Sequence, residues 1–129
     1  MTSKSLRVLI AAGLTAAVSG TIASGPASAA EPEIMLGAIV PSSGPFAEWG
    51  RTNTATLQML EKQVNDAGGI KGAKLRIMIL DDGTKPAQAT NDLRTLAGDD
   101  HVLAVAGPLT SSAAEVTFPV ANEMKVVST

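Results

Sequence analysis

The sequence predicts an α/β fold in which a parallel sheet is flanked by helices. Three observations point there. Segments of strand length recur: apolar runs over 34–40 and 101–106, a stretch over 74–80 that begins with polar alternation and ends apolar, and the start of another at 125. The segments between them carry apolar residues at helical spacing. Turn residues mark the junctions, Pro41, Gly68, Gly69, Gly83, Gly98 and Gly107 among them. Strand, helix, strand, helix, strand, helix, strand is the order that builds a parallel sheet. Ligands of such open sheets sit beyond the carboxyl ends of the strands.

The run 34–40 is uniformly apolar and bounded by Pro32 and Pro41, which suits a strand buried on both faces. The loop Pro41-Ser42-Ser43-Gly44-Pro45 follows, then Phe46, Trp49 and Gly50. From Thr52 onward the pattern is helical, with Leu57, Leu60, Val64 and Ala67 on one face. Gly68 and Gly69 end that helix, since glycine takes the left-handed conformation that closes a helix. The second strand covers 74–80, with Asp81 and Asp82 at its carboxyl end. Pro86, preceded by Thr84 or Lys85, opens a second helix whose apolar face is Ala89, Leu93, Leu96 and Ala97, and Gly98 closes it. The third strand spans 101–106. Val116, Val120 and Met124 mark a third helix, which Pro119 should kink or delay.

The amino terminus reads as an export leader. Lys4 and Arg7 precede an uncharged, largely apolar stretch over 8–23; Ser24-Gly25-Pro26 breaks it, and Ala27-Ser28-Ala29 is a small-x-small cleavage signature. Cleavage is expected after Ala29, with Ala30 as the alternative, leaving 30–129 as the mature segment of one domain. Loss of Lys4 and Arg7 leaves eight basic against twelve acidic side chains, a net charge near −4. That balance, with no basic block and almost no aromatic residues, excludes a nucleic-acid surface. The chain has no cysteine and a single histidine, His101, so thiolate and multi-histidine metal sites are excluded as well. His101, opening a strand, reads as structural or exposed.

The stretch richest in binding chemistry is Gly107-Pro108-Leu109-Thr110-Ser111-Ser112, between the third strand and third helix. Ser112 and Glu115 have capping-box spacing, so the helix is expected to begin there. A helix start at the carboxyl end of a strand offers free N–H groups and partial positive charge to an anion. Thr110, Ser111 and Ser112 add hydroxyl donors, although such residues also serve simply as caps. Trp49, the only tryptophan, either packs its helix onto the sheet or lines a ligand pocket. Asp81 and Asp82 together could hold Mg²⁺ in an enzyme, but no further ligand stands out, and turn and capping roles fit the pair better. The first strand leads into Pro-Ser-Ser-Gly-Pro, with no Gly-x-Gly-x-x-Gly cradle for a dinucleotide.

Taken together, Ser43-Gly44-Pro45 through Trp49-Gly50, Val64-Asn65 with Gly68-Gly69-Ile70-Lys71-Gly72, Leu80-Asp81-Asp82 with Pro86, and Gly107 with Ser111-Ser112 resemble the leucine/isoleucine/valine-binding family. These are type I periplasmic solute-binding proteins of ABC transporters. The resemblance covers nearly the whole mature segment and is most specific over Asn…Gly-Gly-Ile-x-Gly and the following Asp-Asp. It implies the first part of lobe 1 of a two-lobed, non-enzymatic protein, with the remainder of the protein missing. Such a protein closes on an amino acid or similar small solute, uses no cofactor, works in the periplasm and delivers the solute to a membrane permease. By resemblance, Ser111, with Ser112 adjacent, hydrogen-bonds the ligand carboxylate and Trp49 lines the side-chain pocket. The same fold also serves as the ligand-sensing ectodomain of receptors, which is the alternative reading.

Overall fold

The computed structural model describes residues 32–100 and 102–129. The leader over 1–29, its cleavage after Ala29 or Ala30, and the reading of His101 lie outside the described residues.

Four parallel strands form one sheet: β1 (Glu33–Val40), β2 (Lys74–Asp81), β3 (Ala104–Ala106) and β4 (Val127–Ser128), in the spatial order β2-β1-β3-β4. They alternate with helices α1 (Ala47–Asp66), α2 (Pro86–Arg94) and α3 (Ser111–Glu123), so the expected α/β architecture is present. Strand alternation assigns the two faces. Met35, Ile39, Met78, Leu80 and Val105 pack with Ala89, Leu93 and Leu96 of the α2 segment and with Ala113 and Ala121 of α3; this is the hydrophobic core. Leu36, Ile77, Ala104 and Ala106 point the other way. With Leu57 and Leu60 of α1 they line an apolar cavity of about 230 Å³. Gly37 is where the core approaches closest to β1. A Cβ there would sit 2.8 Å from Leu96 Cδ1 and 3.2 Å from Val105 Cγ2.

The element boundaries depart from expectation where local bonds compete with periodicity. α1 begins at Ala47, five residues before Thr52, because its first turn is closed by Ala47 N–H to the Gly44 carbonyl and Gly50 N–H to the Phe46 carbonyl. Its expected apolar face is only half covered. Gly50 is the one fully buried residue of α1, Leu57 and Val64 are half-buried, and Leu60 is 46% exposed. The helix ends as expected. Gly68 (φ +98°) donates to the Asn65 carbonyl and Gly69 (φ +75°) to the Val64 carbonyl, which is the paired-bond glycine closure.

β3 is three residues long rather than six. A π-helical turn (Thr95–Asp99), closed by Asp100 N–H to the Thr95 carbonyl, continues α2 past Arg94, and Val102 N–H then donates back to the Leu96 carbonyl instead of entering the sheet. The α3 start differs as well. It begins at Ser111, with extended Thr110 as its cap, and no Ser112–Glu115 box forms, because Ser112 already has helical geometry. α3 runs through Pro119. Its buried stripe is Ala113, Thr117 and Ala121, whereas Val116 is exposed. Small side chains let α3 lie close on α2, where Thr90 and Thr117 hydroxyls approach to 3.5 Å. β4 is confined to Val127–Ser128 because Lys125 (φ +57°) still belongs to the turn that ends α3.

Two side chains of α1, Asn65 and Glu61, protect the sheet edge. β2 is a border strand whose outward backbone groups would be free. The Asn65 side chain from α1 pairs with both: its Oδ1 accepts from Leu75 N–H and its Nδ2 donates to the Leu75 carbonyl, each at 2.8 Å. Glu61 Oε2 accepts from Ile77 N–H at 2.7 Å. Replacing Asn65 by Ala leaves two partly buried backbone groups without partners, each worth about 1–3 kcal/mol. Asn65→Ala is therefore expected to lower the unfolding free energy by about 2–4 kcal/mol in urea titration. A loss below about 0.5 kcal/mol would mean that water replaces the side chain at the edge.

Candidate functional site

The site is set by where the chain leaves the sheet. β1 and β3 are neighbours, but β1 leads to α1 on one face and β3 leads to α3 on the other. A crevice opens at the carboxyl ends of two such strands, which is the usual ligand position in open α/β sheets. The β1–α1 loop, which runs into Trp49, leaves one of these strand ends, and the β3–α3 loop, which runs into Ser111, leaves the other.

The second of these loops is built by backbone necessity. Gly107 has φ +97°, and a Cβ there would lie 2.4 Å from the Ile39 carbonyl oxygen. Only glycine lets the β3–α3 loop lie this close against β1. The Gly107 amide and carbonyl are also held by Thr129 and Ser128, at 2.6 and 2.8 Å. Beyond it, the Thr110 carbonyl accepts from Ala113 and Ala114 N–H at 3.1 and 2.9 Å. The amides of Ser111 and Ser112 have no intrahelical carbonyl within reach. The side chains of Ser111 and Ser112 are exposed, whereas Thr110 is buried and its Oγ1 has no hydrogen-bond partner among the described residues. The expected hydroxyl cap is thus not made by any of the three.

The first loop leads into aromatic residues. Trp49 lies in the first turn of α1, 49% exposed, with Phe46 edge-on at a ring separation of 6.4 Å. A tryptophan that packed its helix onto the sheet would be covered by the sheet, and this one is not. None of Trp49, Thr110, Ser111 and Ser112 lines the apolar cavity beneath α1.

Asp81 and Asp82 have diverged in environment. Asp81 is exposed, and its Oδ1 accepts from Ser43 N–H at 3.1 Å and Gly83 N–H at 2.9 Å. Burial pushes its carboxyl up, but hydrogen bonds from the Ser43 hydroxyl and from the Gly83, Ser43 and Ser42 amides outweigh this and hold it below its ordinary value of 3.8. Asp82 is fully buried. Its Oδ1 accepts from Thr84 N–H at 2.8 Å, closing a turn into α2, and its Oδ2 has no partner among the described residues. Burial raises its carboxyl above 3.8, helped by the charge of Asp81. Asp92 behaves alike: burial raises it despite the Gln88 hydrogen bond, and the charges of Asp82 and Asp81 add to the shift. Among the described residues no three acidic or histidine side chains come together as a metal site. Asp82 makes the bond of a turn, and Asp81 joins a turn bond from Gly83 to one from Ser43 in the β1–α1 loop.

These shifts predict a pH dependence. A carboxyl raised in the folded state binds its proton more tightly there than in the unfolded chain. Its contribution is fully present below 3.8 and is lost as pH rises through the folded value. Asp82 and Asp92 should therefore raise the thermal midpoint as pH falls from neutral towards 3.8, until Asp81 and the other carboxylates lose their bonds at lower pH. The double variant Asp82→Asn/Asp92→Asn is expected to flatten that slope in differential scanning calorimetry; an unchanged slope would rule the pair out as its source. Asp82→Asn alone keeps the Thr84 acceptor. It is expected to shift stability by no more than about 1–2 kcal/mol and to leave ligand selectivity unchanged.

Residues 33–129 match the family described as periplasmic binding protein. The Leu/Ile/Val-binding protein homolog 3 of Brucella melitensis is 33% identical over 103 residues, which is 80% of this chain and 28% of that protein. The Leu/Ile/Val-binding protein BraC3 of Rhizobium johnstonii is also 33% identical, over 109 residues, 84% of this chain and 28% of its own length. The branched-chain amino acid transporter substrate binding protein LivJ of Streptococcus pneumoniae, solved with isoleucine, superposes with a TM-score of 0.70 at 27% identity, covering 75% of this chain and 29% of LivJ. The chain thus spans under a third of the length of these relatives. The parallel sheet in the order β2-β1-β3-β4 and the match over 33–129 together place this chain in the periplasmic binding protein family.

Proposed function

We propose that this chain forms the first part of lobe 1 of an extracytoplasmic solute-binding protein, which takes up a branched-chain or similar amino acid for an ABC transporter. The observation that carries the reading is that the loops leaving the carboxyl ends of the neighbouring strands β1 and β3 present an exposed aromatic and exposed hydroxyls at a helix start. In this reading the α-carboxylate of the ligand lies against the start of α3, where Ser111 donates a hydrogen bond. Ser112 and the free amides add donors, and the buried Thr110 hydroxyl backs the loop. Trp49 covers the apolar side chain of the ligand. The second lobe, supplied by the remainder of the protein, closes over the ammonium group, and the closed form delivers its cargo to a membrane permease. Export with cleavage after Ala29 or Ala30 belongs to the same proposal, as does the absence of catalysis. It is supported by relatives whose names describe branched-chain amino acid binding.

Calorimetric titration of the two-lobed protein with isoleucine tests the reading. Hydrogen bonds to charged groups contribute about 1.5–3 kcal/mol, so Ser111→Ala is expected to weaken binding about ten- to a hundredfold. Full affinity in Ser111→Ala would remove Ser111 from the site. No binding of any amino acid by the unaltered protein would overturn the proposal itself.

A further inference from the structure

Three groups of contacts join the β1–α1 loop to the β2–α2 loop. Asp81 Oδ1 accepts from Ser43 N–H across 38 residues of sequence and from Gly83 N–H beside it. Thr84 Oγ1 donates to the Ser43 carbonyl at 3.3 Å, and Thr84 itself is held in a left-handed conformation (φ +63°). Gly44 (φ +78°) lies so near Gly83 that a Cβ on it would sit 2.6 Å from the Gly83 carbonyl oxygen. Ser42 is tied separately, through its hydroxyl to Thr54 on α1 at 3.1 Å. The loop so held runs directly into Phe46 and Trp49, and the Gly44 carbonyl receives the first amide of α1.

We infer that Asp81 is a positioning residue for ligand binding: its carboxylate holds the backbone of the β1–α1 loop at Ser43 and thereby sets the Phe46–Trp49 pair at the carboxyl end of β1. The inference rests on the proposed solute-binding role and extends it to a residue at the end of β2 that need not touch the solute. A carboxylate suits the task because one oxygen accepts two backbone amides at once, and a charged acceptor binds them about twice as strongly as a neutral one. Asp81 is exposed and outside the hydrophobic core, so its loss should loosen the loop without unfolding the sheet. This assigns the two adjacent aspartates different work. Asp82 closes the turn into α2, and Asp81 reaches across to the β1–α1 loop.

Two measurements separate the clamp from the binding role. The first uses no ligand. Trp49 is the only tryptophan of these 129 residues, so its fluorescence anisotropy, together with amide hydrogen exchange at Ser43, reports on the loop in this chain directly. Asp81→Ala is expected to lower the anisotropy and speed exchange at Ser43. Asp81→Asn, which keeps an oxygen acceptor for both amides, should stay near the unaltered protein. Gly44→Ala, which forces the two loops apart, should resemble Asp81→Ala. The second measurement is isoleucine affinity in the two-lobed protein, expected to fall about tenfold in Asp81→Ala and by no more than about twofold in Asp81→Asn, with an unfolding midpoint close to unaltered. Unchanged anisotropy and exchange in Asp81→Ala overturn the clamp. A loosened loop with full isoleucine affinity overturns its role in binding. If the unaltered protein binds no amino acid, the solute-binding proposal falls, while the first measurement still decides whether the clamp exists.

Discussion

Gly50→Ala is expected to destabilise the fold by about 3–5 kcal/mol, a large fraction of a domain's usual 5–15 kcal/mol. A Cβ on Gly50 would lie 2.0 Å from the Pro41 carbonyl oxygen, 2.2 Å from the Pro41 carbonyl carbon and 2.6 Å from Ser42 N. All three are backbone atoms, so no side chain can swing away to make room. The segment cannot retreat either. Pro41 is buried at the end of β1, Ser42 N–H donates to the Val40 carbonyl, and the Ser42 hydroxyl meets Thr54. The first turn of α1 would have to lift, exposing the apolar residues beneath it and displacing Trp49, which lies one residue earlier. Gly98 provides the contrast. Nothing lies within 4 Å of its added Cβ and its φ is not positive, so Gly98→Ala is expected to be neutral or stabilising by up to about 1 kcal/mol. Urea unfolding of both variants decides the matter; a Gly50→Ala protein within about 1 kcal/mol of the unaltered chain would show that the close approach is relieved by a small shift.

The strands and helices that carry the fold were legible because period and length agreed. The uniformly apolar run ending at Val40 and the Leu93–Leu96 stripe each have one structural solution, and both lie where periodicity places them. Boundaries were less legible wherever a single hydrogen bond outweighed the pattern. The run before Gly107 reads as a strand of six residues, yet Val102 bonds back to Leu96. The box spacing of Ser112 and Glu115 was real, but the extended backbone of Thr110 lies two residues earlier and caps α3 instead. Of the apolar residues that mark α3, Val120 packs against the core while Val116 is exposed, because the fully buried stripe is the small residues Ala113, Thr117 and Ala121. Among site residues, Trp49, Ser111 and Ser112 were visible by residue type and by position at strand ends. The Asp81–Ser43 clamp was not, because it joins residues 38 apart through a backbone amide, which no side-chain pattern records. Asn65 stood out as part of a recurring segment, but its pairing with both backbone groups of Leu75 needs the edge strand in place to be seen.

Titration of isoleucine into residues 30–129 alone is expected to give no measurable heat, although the same residues furnish the loops that leave β1 and β3. Burying an isoleucine side chain contributes about 1.5–3 kcal/mol when it is fully covered, and hydrogen bonds to the carboxylate contribute about 1.5–3 kcal/mol. One open wall realises only part of either. Trp49 faces solvent and Ser111 and Ser112 are exposed, so a ligand seated among them keeps much of its surface in water. Ligand sites that bind tightly bury about 70–90% of the ligand. Set against the loss of translational and rotational freedom, at least about 4 kcal/mol, what is left corresponds to a dissociation constant of millimolar or weaker. In the proposed two-lobed protein a second lobe would change this by covering the exposed half, pairing the ammonium group and excluding water from the bonds at Ser111. The two-lobed protein should accordingly bind isoleucine orders of magnitude more tightly than residues 30–129, and Ser111→Ala and Trp49→Ala should each weaken that binding. A saturable micromolar signal from residues 30–129 alone would place the whole site within these residues and overturn the two-lobed reading.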